Sequence, residues 1–82
     1  MALVRRIDRA SKARQEPHRP TVCLASVFSD ADGNRYIQLD TYGSDSRKIR
    51  GKMSQSIQFD AAAAAQLKLL IETVFPPRNR TH

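Results

Sequence analysis

Arg47, Lys48, Arg50 and Lys52 place four cations within six residues, and no carboxylate stands between Asp45 and Asp60 to neutralise them. Guanidinium and ammonium groups gathered that closely hold phosphate oxygens by charge and by directed hydrogen bonds. The same run on a featureless turn serves only solubility, so its neighbours decide its meaning. Tyr36 and Tyr42 stand upstream on a period-two stretch with Gln38 between them. Aromatic rings for stacking beside cations for a backbone are the pair of chemistries that unpaired bases require. Asp40 shares the tyrosines' side of that stretch and opposes any anion lying directly over it.

The other chemically capable residues are isolated. His18 lies between Pro17 and Arg19, and His82 is the last residue; neither has a carboxylate or thiol close in sequence. A metal cage needs several ligands at defined spacing, and general acid–base work needs a positioned partner. The single Cys23 sits in a β-prone stretch, where a small core residue is the expected role rather than a reactive thiol. Gly43 and Gly51 are not embedded in the strand, glycine-rich loop, helix order of a phosphate-binding loop. The expectation is a protein that is not an enzyme, with no metal, no cofactor and no small-molecule substrate.

The 82 residues suffice for one small domain. A chain this short buries only about 60% of the surface its unfolded form exposes, so its core is thin and a second copy is an economical way to extend it. Fourteen basic residues against eight acidic ones give a net charge of +6. In residues 1–20, Arg5, Arg6, Arg9, Lys12, Arg14 and Arg19 face only Asp8 and Glu16, a local +4. The Arg47–Lys52 run holds another +4, leaving −2 for everything else. Basic character confined to two patches points to an acidic polymer ahead of anionic lipid. One unpaired cysteine fits a reducing compartment, no apolar run follows the early arginines as in a secretory leader, and no segment approaches a membrane span. A cytoplasmic location, nucleoid-associated in a bacterium, is expected.

The elements that must position these groups follow from local pattern. Residues 1–20 read as a basic arm, either a flexible tail or a short amphipathic helix to about Gln15 on the spacing of Leu3, Ile7 and Ala10, stopped by Pro17 and Pro20. Residues 21–75 read as a single domain. Thr21–Phe28 is rich in β-formers, Asp32-Gly33-Asn34 supplies a hairpin turn, and Arg35–Tyr42 is the return strand. Ile49 centres a short strand within the basic run. From Met53, Gln55, Ile57 and Phe59 alternate with Ser54, Ser56 and Gln58. Ile57 and Phe59 should face inward with Ile37 and Leu39, leaving Tyr36, Gln38, Tyr42, Ser54, Ser56 and Gln58 on an open outer face. Asp60 is an N-cap, five alanines follow, and Leu67, Leu70, Ile71 and Val74 make an apolar stripe before Pro76-Pro77 ends the helix. Full burial of those four would contribute about 1.5–3 kcal/mol each. Residues 76–82 read as a polar tail.

Ala25-Ser26-Val27 through Asp32-Gly33, Tyr36-Ile37-Gln38-Leu39-Asp40-Thr41-Tyr42, Arg50-Gly51-Lys52 and Ser56-Ile57-Gln58-Phe59, then the Ala61–Val74 helix with Leu67 and Ile71, together resemble the positive cofactor four (transcriptional coactivator) family of single-stranded-DNA-binding proteins and its small bacterial members. The resemblance covers Thr21 to Phe75. It implies an α+β fold with a four-stranded antiparallel sheet and a C-terminal helix (ββββα), dimerisation through the helix, and single strands bound across the sheet. Carried over by position, Arg50 and Lys52 flank Gly51 in the basic loop and Tyr42 closes the second strand.

The function expected is binding of single-stranded or locally melted DNA, or RNA, with little sequence preference. Arg47, Lys48, Arg50 and Lys52 would hold the backbone, Tyr36 and Tyr42 would stack, and Gln38, Ser54, Ser56 and Gln58 would supply adaptable hydrogen bonds. Ala61, Ala64, Ala65, Leu67, Leu70, Ile71 and Val74 form the expected homodimer surface, the alanines allowing close approach. Two other classes stay open: a protein-interaction module pairing through the sheet face or edge, and a small regulator of duplex DNA whose arm enters a groove.

Overall fold

The computed structural model describes residues 1–12, 14–42 and 53–77, with Met53 and Ser54 described by their backbone alone. Four strands, β1 (Ala2–Val4), β2 (Cys23–Ser29), β3 (Arg35–Tyr42) and β4 (Met53–Phe59), precede one helix, α1 (Ala61–Val74). The strands form one sheet in the order β1-β4-β3-β2.

The β2–β3 hairpin is set by its turn. Gly33 takes φ 85°, the left-handed conformation that glycine adopts without steric cost. The Asp30 amide donates to the Asn34 carbonyl at 2.9 Å and the Gly33 amide to the Asp30 carbonyl at 3.1 Å. Asp30 also turns its carboxylate inward over the turn, accepting from the amides of Asp32 and Asn34 at 2.9 and 3.0 Å. This side-chain mimicry of a backbone turn is what makes aspartate effective at the position. It fixes the register so that Phe28 lies opposite Tyr36, Val27 opposite Ile37 and Ala25 opposite Leu39. β4 pairs antiparallel to β3, with Ile37 opposite Phe59 and Leu39 opposite Ile57, and the ladder is irregular between Thr41 and Tyr42. Ile37, Leu39, Ile57 and Phe59 therefore share one face as expected, but only Phe59 is buried on it. Ile37 and Ile57, expected to face inward, stay 40% and 36% exposed because the single helix covers only part of that side.

The sheet is mixed, not antiparallel throughout. β1 runs parallel to β4, with Ala2 opposite Ile57 and Val4 opposite Phe59. A hairpin forces antiparallel pairing, but β1 and β4 are joined by a long connection that leaves their relative direction free. The amino-terminal segment is accordingly neither wholly a tail nor a helix: residues 2–4 are a sheet edge, and no helix occurs in the described part of residues 5–20. The chain then continues along α1. The Asp60 amide donates to the Val4 carbonyl at 3.3 Å, and Gln66 clamps the Ile7 peptide from both sides, accepting its N–H at 2.9 Å and donating to its carbonyl at 3.1 Å. The short strand expected around Ile49 lies outside the described residues.

α1 begins where predicted. The Asp60 carboxylate accepts from the Ala63 amide at 2.9 Å, and at the far end the Phe75 amide donates to the Ile71 carbonyl at 2.7 Å. Its first turns meet the Ile37/Phe59 side of the sheet, where Val27, Ile37, Phe59, Ala61 and Ala64 line one open cleft. Phe59 and Ala63 are the buried apolar residues, at 8% and 0% exposure. The later helix stands off: Leu67 and Leu70 are half-buried, while Ile71 and Val74 remain 47% and 53% exposed. Cys23, expected as a core residue, is exposed at the start of an edge strand. The radius of gyration, 15.6 Å, exceeds the roughly 12 Å of a compact chain of this length.

Candidate nucleic-acid interface

The residues expected to carry the chemistry divide into two sets. Arg47, Lys48, Arg50 and Lys52 lie outside the described residues. Tyr36, Gln38 and Tyr42 fall on β3, and Ser54, Ser56 and Gln58 on β4. Pleating sends the alternate set Tyr36, Gln38, Asp40, Ser56 and Gln58 to the side opposite Ile37 and Phe59. Among the described residues no second helix lies over that side.

On it runs a directed polar ladder across the two central strands. The Gln58 side-chain amide donates to Gln38 Oε1 at 2.8 Å, and Gln38 Nε2 donates onward to the Asp40 carboxylate at 3.0 and 3.2 Å. Each amide keeps further donor or acceptor capacity, so the ladder orders these side chains without exhausting them. Asp40 serves as its terminus, which gives the unfavourable carboxylate a structural role. Ser56 sits directly opposite Asp40 and is buried at 9% exposure, so its hydroxyl lies within the sheet surface and not free upon it.

The aromatic pair on this side is one the sequence reading named only in part. The Tyr36 ring stacks on Phe28 of β2, with centroids 5.1 Å apart and planes inclined by 16°. Phe28 is 38% exposed. The signal for it was present, since the Asp30 turn sets the register that puts Phe28 opposite Tyr36. The Tyr36 hydroxyl is held as well, donating to Asp30 Oδ2 at 2.9 Å. That bond, then the hydrogen bond from the Asn34 amide, lowers the Asp30 pKa below the usual 3.8. The same bond to Asp30, followed by desolvation, raises the Tyr36 pKa above the usual 10.0. Tyr42 lies at the other end of β3, about 20 Å away at strand rise. It is half-buried, and its carbonyl accepts from the Thr21 hydroxyl. Two rings so separated cannot grip the same base, so Phe28 and not Tyr42 is the partner of Tyr36.

Of the expected dimer surface, Ala61, Ala65, Ile71 and Val74 are exposed and Ala64, Leu67 and Leu70 half-buried; Ala63, not among them, is the helix residue that is fully buried. Two of the arm cations are partly neutralised locally. Arg5 Nε lies 3.6 Å from Asp60 Oδ2, and Arg6 pairs with Asp8 at 3.1 Å. Pairs this exposed contribute little to stability. Among the described residues no cluster of three or more histidine, cysteine or acidic side chains is assembled, and no helix is long and apolar enough to cross a membrane.

These elements define a small α+β protein: a four-stranded mixed sheet carrying a single C-terminal helix. No family model, curated protein or solved structure matches the chain.

Proposed function

We propose that the protein binds single-stranded or locally melted nucleic acid across the sheet side bearing Phe28, Tyr36, Gln38 and Gln58, with the Arg47–Lys52 run holding phosphates. The stacked Phe28–Tyr36 pair carries this reading: two parallel rings, partly exposed, on a face that also carries the side-chain amides of Gln38 and Gln58. A base laid on the pair extends the stack, and base–aromatic stacking contributes about 1–3 kcal/mol per base. The Gln58–Gln38 ladder offers adaptable hydrogen bonds that discriminate little between bases. Net charge of +6, gathered in two patches, supplies attraction to the backbone.

The working unit in this proposal is a homodimer formed through α1. Ile71 and Val74 leave about half their surface to solvent, and Phe75 is 72% exposed. A second copy laid on that stripe recovers part of the burial that the thin monomer core lacks.

Fluorescence anisotropy with a labelled oligothymidylate, the matching duplex and an RNA strand, each at two salt concentrations, tests the function. Single strands should bind more tightly than duplex, with a log–log salt slope of about −0.7 per phosphate held. Absence of binding to all three at low salt overturns it. That outcome favours an interaction module for another polypeptide, a reading supported by the exposed Val27, Ile71, Val74 and Phe75.

A further inference from the structure

The outer edge of β2 is a second, independent feature. The strand order leaves it without a strand partner among the described residues, and all seven of its residues are exposed. Its sequence, Cys23-Leu24-Ala25-Ser26-Val27-Phe28-Ser29, contains no charge and no proline. Those are the devices by which natural edges avoid pairing, and β2 has neither.

The turn identifies which backbone groups are free. Because the Asp30 amide donates to the Asn34 carbonyl, Asp30 and Asn34 are a hydrogen-bonded ladder pair. Antiparallel pairs alternate between bonded and non-bonded, so Phe28/Tyr36, Ser26/Gln38 and Leu24/Asp40 are the bonded pairs. The N–H and C=O groups of Cys23, Ala25, Val27 and Ser29 therefore point outward, along the unpaired edge.

We infer that β2 pairs antiparallel with β2 of a second copy, about a two-fold axis at Ser26. This register matches every outward-facing residue with an outward-facing one: Cys23 with Ser29 and Ala25 with Val27 of the other copy, and the reverse. Each such pair exchanges two hydrogen bonds. On the aromatic side Leu24 lies opposite Phe28 of the other copy, apolar against apolar, and on the helix side Val27 lies opposite Ala25. The strands bring no like charges together. The self-matching register pairs all seven residues, sets exposed apolar side chains against one another and adds burial to a core that holds only Phe59 and Ala63 among the described residues. That selects a second copy over an unrelated strand. The two sheets become one, and their Phe28–Tyr36 pairs share a continuous surface. The contact is separate from the helix-mediated pairing and from nucleic-acid binding, and it is measurable without either.

Across the axis Ser26 faces its own counterpart in a non-bonded pair, with Cα atoms about 4.5 Å apart, within disulfide range. In a Cys23→Ser background, Ser26→Cys should cross-link two chains under mild oxidation about tenfold faster or more than Leu24→Cys, whose counterpart lies out of bonding range. Equal rates for the two variants overturn the inference. As a second measurement, Ala25→Pro removes an outward N–H and leaves the β2–β3 ladder intact. It should lower the solution mass from light scattering while Ile71→Asp, aimed at the helix contact, leaves the Ser26→Cys cross-link in place. Unchanged mass for a folded Ala25→Pro protein also overturns it.

Discussion

The Tyr36 hydroxyl donates to the Asp30 carboxylate at 2.9 Å, tying the first residue of a turn to the second residue of the strand that leaves it. One hydrogen bond thus holds both the hairpin register and the orientation of the ring that stacks on Phe28. The Asp30 carboxylate accepts four hydrogen bonds, from Asp32, Asn34 (amide and side chain) and Tyr36.

The bond needs an ionised aspartate and a neutral phenol. Asp30, with its pKa lowered chiefly by Tyr36, contributes stability above the unfolded value near 3.8 that is lost as pH falls through the folded value. Tyr36, with its pKa raised by Asp30, contributes stability below the unfolded value near 10.0 that is lost as pH rises through the folded value. Melting temperature should therefore decline at both ends of the range. Tyr36→Phe should flatten the alkaline limb and weaken the acid one. An alkaline limb identical to the parent's would show that the bond does not form in solution.

Phe28→Ala and Tyr36→Ala should each weaken binding to a labelled single strand by about 5- to 150-fold, as loss of one stacking contact requires. Their salt slope should stay unchanged. Arg50→Ala with Lys52→Ala should weaken binding at low salt and also flatten the slope, by about 1.4 at 0.7 per phosphate. Anisotropy titrations at several salt concentrations separate the two effects.

Ala63 has no exposed surface, so a larger side chain there has no room. Ala63→Leu should destabilise by about 1–3 kcal/mol through overpacking. Asp60→Ala removes the cap that accepts the Ala63 amide and should cost about 0.5–2 kcal/mol. Ala65→Leu, at an exposed position, should fall within about 0.5 kcal/mol. Urea denaturation measures all three.

Gln66 holds the Ile7 peptide with both its amide atoms. Gln66→Ala should release the segment after β1, increasing hydrogen exchange at the Ile7 amide and trypsin cleavage after Arg5, Arg6 and Arg9. The exchange of β3 amides should not change. Equal protection of Ile7 in the variant would show that β1 holds the segment unaided.

Much of the fold is written in short stretches of chain. The bounds of β3 and β4, the turn glycine, the Asp60 cap and the sides taken by Ile37, Leu39, Ile57 and Phe59 all follow from periods of 2 and 3.6 and from turn chemistry, which act between near neighbours. β2 itself was offset by one or two residues, since an edge strand has only one neighbour to define its ends.

What the chain pattern left open depended on residues far apart meeting. Three residues, Ala2-Leu3-Val4, carry too little periodicity to announce a strand; β4's edge made them one, parallel because no hairpin dictated otherwise. Ser56 and Ala63 were drawn inside, and Gln66 found Ile7, through packing that local spacing does not encode. The stacked Phe28–Tyr36 pair lies between these cases, its register set by a local turn but its contact made only once two strands stood side by side. Charge and residue type were settled by the sequence alone, because they do not depend on conformation; which side chains share a surface was settled by the tertiary structure, because only cross-strand pairing brings distant residues within contact range.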